Sequence, residues 1–360
     1  MTIGWRYLLR RILVSIVLLW LLSIITFAIY FAIPQEPAAF LIDPQHATPA
    51  MIEKAHKQLG VDKPVTTQYG KFVWRALHGD FGVAFSGLSY NAQSELEGTA
   101  VGAEVIRAAA VTGWLALGGI VLVILFAIPA AMAAASRVGS WLDKTLLAVA
   151  LIGISTHPIV IGVVLQTFVG NRWHVTPPGG YCPILDSASA VFDPLATHPE
   201  VCGGFSDWAS HMILPWITFA LFFIALYMRI VRVRLLDVLG ADYIRAARAK
   251  GAPESRVLRR HALPNTIPQL ITMMGMDIGT AVGVAVYVET VYSLPGLGRL
   301  TLGAIRGDAG FDLPIIIAVV MIVGAAIIFL NLLADMVLAV VDPTIETRAP
   351  RRAQATGGVV

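Results

Sequence analysis

Apolar residues are concentrated in six segments of the chain, and none of the six contains lysine or arginine. The segments are residues 12–33, 108–135, 145–170, 209–228, 267–288 and 313–341. Each reaches or approaches the roughly 20 residues that an α-helix needs to cross a hydrocarbon core. The pattern therefore predicts an all-α, polytopic membrane protein with six transmembrane helices.

The composition agrees with this pattern and excludes several classes of protein. Hydrophobic residues make up 57% of the chain and charged residues 14%, with a mean hydropathy of +0.74. A soluble enzyme, a disordered chain and a transmembrane β-barrel are excluded by these values together with the length of the apolar segments. Residues 12–33 are longer than the roughly 7–15 residues of a signal-peptide core, so we interpret them as a retained first helix.

Basic residues predict the orientation of the spans. If the N-terminus is cytoplasmic, the cytoplasmic segments hold 17 of the 26 lysines and arginines, and the external segments hold 9. Lysine and arginine accumulate on the cytoplasmic side of membrane proteins, so we expect both termini there. The same bias explains the net charge of +3 without a nucleic-acid partner.

The chain divides into three regions. Residues 1–107 comprise the first span and an external segment, in which 49–59 and 68–77 have helical patterns and form a small cap on the outer membrane surface. Residues 108–346 form a core domain of five spans with a cytoplasmic pair of helices within 236–264. Residues 347–360 form a flexible cytoplasmic tail.

Both cysteines, Cys182 and Cys202, lie in the second external loop. An oxidising compartment favours a disulfide between them, and two free thiols are the alternative. Metal binding by this pair is not favoured, because no further cysteine or histidine stands at ligand spacing.

The cytoplasmic segment 229–266 predicts a bent pair of helices. An amphipathic pattern from Leu236 to Ala247 gives the first helix, and Gly251 suits the left-handed residue that ends it. Pro253 suits the first turn of a second helix, Glu254 to His261, which is expected to stop before Pro264. A solvated connector is the alternative, but it does not require adjacent small residues beside a helix-ending glycine.

Residues of this segment resemble a known motif. Ala246, Ala247, Gly251 and the pair Leu263-Pro264 stand at the spacing of the EAA loop of binding-protein-dependent ABC import permeases. Arg245 replaces the leading glutamate and His261 replaces an isoleucine of that consensus. A leading basic residue is similar to the version in the dipeptide and oligopeptide subfamily.

Other motifs agree with that subfamily over residues 5 to 346. The first external segment carries Leu59-Gly60, Asp62, Pro64, Gln68-Tyr69 and Gly79-Asp80-Phe81-Gly82, and the end of the chain carries Leu294-Pro295-Gly296-Leu297-Gly298 and Val341-Asp342-Pro343. The Gly-Asp-Pro that commonly follows the first span is here Gln35-Glu36-Pro37.

The resemblance implies a type I ABC importer permease fold in a bacterial inner membrane. It also implies a heterodimer with a homologous permease, an external substrate-binding protein, and one or two cytoplasmic ATPase subunits that bind ATP and Mg. This chain has no phosphate-binding loop of the G-x-x-x-x-G-K-[ST] type, so we expect it to bind no cofactor and not to be an enzyme.

The resemblance also assigns roles to residues of the cytoplasmic segment. Those expected to couple the permease to an ATPase are Tyr243, Arg245, Ala246, Ala247, Arg248, Lys250, Gly251, Leu263 and Pro264. The two alanines would allow close approach to an ATPase groove, and the three basic residues could pair with acids at its rim.

Polar residues inside spans are candidates for the translocation pathway. Asp277, with Met273 and Met276 beside it, could contact a solute amine or cation, or it could be a hydrogen-bonded aspartate that holds two helices together. His157 precedes Pro158, so a proline kink with a hydrogen-bonded histidine is the alternative to a pathway role.

The predicted outer loop between the fifth and sixth spans holds the remaining candidates. Glu289, Leu294, Pro295 and Gly296 could form an outer gate or a docking site for the binding protein, and a simple turn is the alternative.

The sequence leaves the substrate open. Peptides follow from the subfamily, and nickel, glutathione or a haem-like ligand are alternatives within the same transporter class. An ion-coupled secondary transporter is the rival from another class. It is disfavoured because Asp277 and His157 stand almost alone and no inverted repeat is evident.

Overall fold

The computed structural model describes residues 5–32, 64–84, 89–90, 96–97, 99–183, 204–306 and 312–341. The helices are α1 (Trp5–Ala32), α2 (Val65–Leu77), α3 (Val101–Ser136), α4 (Trp141–Ser155), α5 (Pro158–Leu165), α6 (Phe205–Leu239), α7 (Asp242–Ala249), α8 (Glu254–Arg256), α9 (Leu263–Met276), α10 (Ile278–Tyr292), α11 (Leu297–Arg306) and α12 (Leu313–Val341). Two π-helical segments, Gln166–Arg172 and Val257–Ala262, follow α5 and α8. A two-residue antiparallel ladder pairs β1 (Ser89–Tyr90) with β2 (Leu96–Glu97). The all-α membrane class is confirmed.

The predicted spans are present as four continuous helices and two broken ones. The helices α1, α3, α6 and α12 are each long and apolar enough to cross a membrane. The third span is broken between α4 and α5, with a bend of 102°, and the fifth is broken between α9 and α10, with a bend of 58°. Residues 1–4 and 342–360 lie outside the described ranges, so the cytoplasmic placement of the termini stays a prediction.

The break in the third span follows from His157 and Pro158. Proline at the first position of α5 has no amide N–H to continue the helical ladder. His157 caps the new helix, because its Nδ1 accepts a hydrogen bond from the backbone N–H of Ile159 at 3.3 Å. The predicted kink is therefore a break between two helices, at which the chain bends by 102°.

Close packing of α3 against α6 forms the centre of the fold. Gly118 and Gly119 leave room for the rings of Trp216 and Phe219, where an added Cβ would overlap the aromatic atoms. Small residues that let helices approach closely are a general feature of membrane helix packing. Leu115 and Phe219 are almost completely buried at this contact.

The first span packs against the sixth. Gly324 of α12 faces Leu22 of α1, and Arg11 forms an ion pair with Asp335 at 3.0 Å. Helix α2 adds to this pair of spans, since the Tyr69 hydroxyl lies 2.9 Å from the hydroxyl of Ser23. The other predicted helix of the external cap, 49–59, lies outside the described residues.

Three boundaries differ from the sequence-based expectation. Helix α6 continues to Leu239, so Leu236 belongs to the long span and the short helix begins at Asp242. The predicted second helix, which begins with α8, does not stop before Pro264. It continues through the π-helical segment Val257–Ala262 and α9 to Met276, because the π-helical segment places Pro264 in the first turn of α9. The proposed domain boundary after residue 107 falls inside α3.

Candidate functional site

A short helical bend, which we name the elbow, comprises residues 242–256 on the predicted cytoplasmic side. Ile244 anchors its first helix and is completely buried. Gly251 has φ +79°, and its N–H donates to the carbonyl of Arg248 at 2.9 Å, while the N–H of Ala252 donates to the carbonyl of Ala247 at 3.2 Å. These two bonds form a Schellman motif, which fixes the end of α7 and the direction of the following chain.

Ion pairs between residues of the elbow stabilise its conformation. The guanidinium of Arg248 donates to both carboxylate oxygens of Glu254, at 3.1 and 2.7 Å, and this bond raises the pKa of Arg248. Arg245 pairs with Asp242 on the same helix. In this conformation both arginines therefore pair with acids of their own chain, and their pairing with acids of an ATPase stays a prediction. Lys250 is exposed.

The outer face of the elbow is formed by small residues. Ala246 and Ala249 are exposed, and Ala247 is half-buried. Tyr243 is 48% exposed, and its hydroxyl accepts a hydrogen bond from Asn265 at 3.1 Å. Leu263 is half-buried and Pro264 is exposed at the start of α9. The elbow thus presents a rigid surface with short side chains, which another protein can approach closely.

Asp277 lies at the break of the fifth span. The hydroxyl of Tyr227 on α6 donates to its Oδ2 at 2.8 Å, and Tyr227 is buried. Asp277 also faces a cavity of about 230 Å³ between α3, α6, α10 and α12, whose walls are mainly apolar. Asp277 is therefore a helix-joining residue that also lines a cavity, and its contact with a solute stays a prediction.

The other pathway candidates separate into two groups. Met273 packs partly buried against the core, whereas Met276 is 77% exposed. The ring of His157 contacts the ring of Tyr287 at a centroid distance of 4.7 Å. Met276 and Tyr287 share a row of exposed residues along the fifth span, which we name the α10 stripe: Thr272, Met276, Thr280, Gly283, Tyr287 and Thr290.

The α10 stripe was not identified as a set from the sequence. Its members recur every three or four residues, which places Thr272 and Met276 on one face of α9, and Thr280, Gly283, Tyr287 and Thr290 on one face of α10. Hydroxyl groups and glycine in a predicted span are a weak signal alone, because the same residues also mediate helix packing. In the part of the chain that the structure describes, Gly279 and Gly283 have no atom within 4 Å of the position of an added Cβ, so they do not pack closely against another helix of this chain.

Glu289 is the centre of a buried polar cluster. It is completely buried, and its carboxylate accepts bonds from Thr112 Oγ1 at 2.6 Å, Gly298 N–H at 2.8 Å and Arg299 N–H at 3.2 Å. The last two donors belong to the first turn of α11, where free amide groups favour an acidic partner. Glu289 therefore joins α3, α10 and α11.

This burial changes the expectation for the outer loop. Glu289 and Leu294 are completely buried, so neither can contact a docked protein in this conformation. Gly296 is buried against the carboxylate of Glu289, with no room for a Cβ, and Pro295 is exposed. Glu289 holds the loop in place, and the loop together with α11 connects the fifth and sixth spans, so the connection is more than a simple turn. The roles of outer gate and docking site stay predictions.

Replacing Glu289 with alanine is expected to lower the stability of the outer end of the protein. The buried N–H of Gly298 and the partly buried donors of Thr112 and Arg299 would lose this acceptor, at a cost of roughly 1–3 kcal/mol for a buried unsatisfied group. The measurement is the melting temperature in detergent, with Glu289→Gln as the matched control that keeps an acceptor oxygen. Equal melting temperatures for the alanine variant and the wild type would contradict this role.

Cys182 is buried and takes part in a disulfide. Cys202 lies outside the described residues, so the pairing of these two cysteines stays a prediction.

Comparison with known proteins identifies the family. Residues 127–347 match the binding-protein-dependent transport system inner membrane component family, and residues 4–92 match the N-terminal family of such membrane components. The chain belongs to this family. It is therefore a permease subunit of an ABC importer in the inner membrane.

Relatives of this permease are named as peptide permeases. It is 31% identical over 346 residues to the dipeptide transport system permease protein DppB of Escherichia coli strain K12, covering 94% of this chain and 98% of that protein. It is also 31% identical over 343 residues to a candidate peptide permease of Brucella suis biovar 1, covering 95% and 99% of the two chains.

A solved structure supports the fold of the permease. The MetNI methionine ABC transporter, crystallised in an inward-facing conformation, aligns with a TM-score of 0.51 and 19% identity. The alignment covers 66% of this chain and 96% of that chain. At this level of identity the comparison establishes the type I ABC importer permease fold and nothing about the substrate.

Proposed function

We propose that this permease pairs with a homologous permease to form a pathway for dipeptides or oligopeptides. In this proposal an external binding protein delivers the peptide, and one or two ATPases, which bind ATP and Mg, act on the elbow from the cytoplasm. The observation that carries the proposal is the elbow, a rigid bent segment with an exposed small-residue face, in a chain of the ABC importer permease family. The peptide assignment follows the names of the relatives.

The elbow is suited to transmit force. An ATPase can shift a permease between two conformations only through contacts that differ between them. The Schellman motif at Gly251, the Arg248–Glu254 pair and the buried Ile244 hold α7 as one body with the start of the fifth span. Movement of α7 would therefore move the spans attached to it.

The pathway is assigned to the α10 stripe with His157. Its exposed hydroxyl groups and the imidazole can bond to peptide amides, and Met276 offers an adaptable apolar contact. Asp277 stands at the break of the same span but lines the cavity on the other side of α10, which no stripe residue lines, so its carboxylate is a second, separate candidate contact for a peptide ammonium. These groups suit a ligand with a polar backbone and variable side chains.

The experiment is uptake by proteoliposomes that contain this permease assembled with a homologous permease and ATPase subunits, with a substrate-binding protein added outside. We expect radiolabelled dialanine or trialanine to accumulate only when ATP is present inside the vesicles and the binding protein is present outside. Unlabelled nickel, glutathione and haem serve as competitors. Uptake that needs a proton gradient but no ATP would contradict the proposal. If only nickel, glutathione or haem is transported and no peptide is, that solute would replace peptides as the assigned substrate.

A further inference from the structure

A buried ion pair connects α4 and α6 on the predicted cytoplasmic side. Arg232 on α6 donates to both carboxylate oxygens of Asp143 on α4, at 2.6 Å from Nε to Oδ1 and 2.7 Å from Nη2 to Oδ2. The two side chains are 13% and 3% exposed. Two parallel hydrogen bonds between planar groups fix the mutual orientation of the helices as well as their distance.

The carboxylate of Asp143 is also held on its own side of the contact. Ser140 caps α4, since its Oγ accepts from the N–H of Asp143 at 3.2 Å. The Oδ2 of Asp143 accepts from the N–H of Gly139, at 2.9 Å, in a turn where Gly139 has φ +76°. The loop before α4 therefore orients Asp143 toward Arg232.

Stability alone is a weak explanation for this arrangement. Removing two charges from water costs free energy, and apolar residues of similar volume often stabilise a protein equally well or better. What an apolar contact does not provide is direction, because the hydrophobic effect is non-directional. A bidentate pair resists sliding and rotation of one helix against the other.

The pair joins α6, which leads to the elbow, with α4, the first half of the broken third span. From Arg232, α6 continues to Leu239 and leads through Gly240 and Ala241 to α7. From Asp143, α4 continues to Ser155, where the chain bends into α5. At that bend His157 contacts Tyr287 of the α10 stripe.

We infer that Asp143 and Arg232 are positioning residues that transmit movement of the elbow to α4 and α5. The inference rests on the proposed function, because it requires an ATPase that moves the elbow. When α7 moves, α6 moves with it, and the Asp143–Arg232 pair carries α4 along. The bend at His157 then shifts against the α10 stripe.

The test uses the complete transporter in nanodiscs, with spin labels on this chain at cysteines replacing Val160 on α5 and Phe329 on α12. Both positions are exposed, and the disulfide keeps Cys182 from reacting with the label. The measured quantities are the label-to-label distance with and without ATP–vanadate, and the rate of ATP hydrolysis. Neither measurement depends on the identity of the peptide.

The main variant is the double substitution D143N/R232M. It leaves no charge at this contact, and the new amide oxygen can still accept from Gly139. We expect ATP hydrolysis to continue while the fraction of molecules that change distance falls about tenfold, a loss within the usual range for coupling between sites. The matched control is Asp237→Asn, which breaks an exposed pair with Arg234 on the same helix and should leave the change intact.

A second variant covers the case in which the double variant does not assemble. Arg232→Lys keeps the charge but cannot form the bidentate contact, so we expect a smaller but measurable loss of the distance change. A full distance change in Arg232→Lys, or in an assembled D143N/R232M transporter, would overturn the inference. Absence of any change in the wild type would instead count against the proposed function.

Discussion

Replacing Gly251 with proline is expected to reduce ATP-driven uptake to background while the chain still inserts into the membrane. Proline cannot adopt the φ of +79° found here, and it removes the N–H that donates to the carbonyl of Arg248. The local cost is about 3 kcal/mol or more, which corresponds to about a 100-fold loss of the bent conformation. Uptake and ATP hydrolysis are measured together in proteoliposomes, and we expect hydrolysis without transport.

Gly240 provides the matched control for this experiment. It lies at the other end of α7 with φ −79°, a conformation that any residue adopts, so Gly240→Ala is expected to retain uptake. Wild-type uptake by Gly251→Pro would show that the left-handed turn has no part in coupling. Equal losses in both variants would indicate a general sensitivity of the segment instead of a role for the turn.

Replacing Asp277 with alanine is expected to lower uptake about tenfold and to destabilise the protein. The buried hydroxyl of Tyr227 would lose its acceptor, at a cost of roughly 1–3 kcal/mol. The cavity would also lose the carboxylate at the break of the fifth span. The measurements are the melting temperature in detergent and the rate of dialanine uptake.

Tyr227→Phe separates the two roles of Asp277. This variant removes the same hydrogen bond but keeps the carboxylate in the cavity. If Asp277 contacts the peptide, Tyr227→Phe should transport far better than Asp277→Ala at a similar melting temperature. Equal uptake by the two variants would restrict Asp277 to joining α6 with the fifth span.

The positions of the spans could be predicted because each depends on one local property. An uncharged apolar segment of sufficient length must be helical in a bilayer, where every backbone group needs an internal partner. The segment 313–341 coincides with α12, and the predicted third segment, 145–170, lies within the broken span. The left-handed conformation expected at Gly251 is likewise a local property, and the structure shows it.

The connections between distant residues could not be predicted in this way. Asp143 and Arg232 lie far apart in the chain, and each alone resembles an ordinary charge at the end of a span. Glu289 and Thr112 are separated by 177 positions, so their hydrogen bond depends on how α3 packs against α10. Pro264 was a misleading local signal, because the preceding π-helical segment places it where its missing N–H is not needed.

Binding of an ATPase to the elbow is tested most directly by a cryo-electron microscopy structure of the transporter assembled with its ATPases. The account predicts that Ala246 and Ala249, which are exposed in the isolated chain, become buried against the ATPase surface while the Arg248–Glu254 pair is retained. An assembly in which the ATPases contact other parts of the permease and the elbow remains in solvent would contradict it.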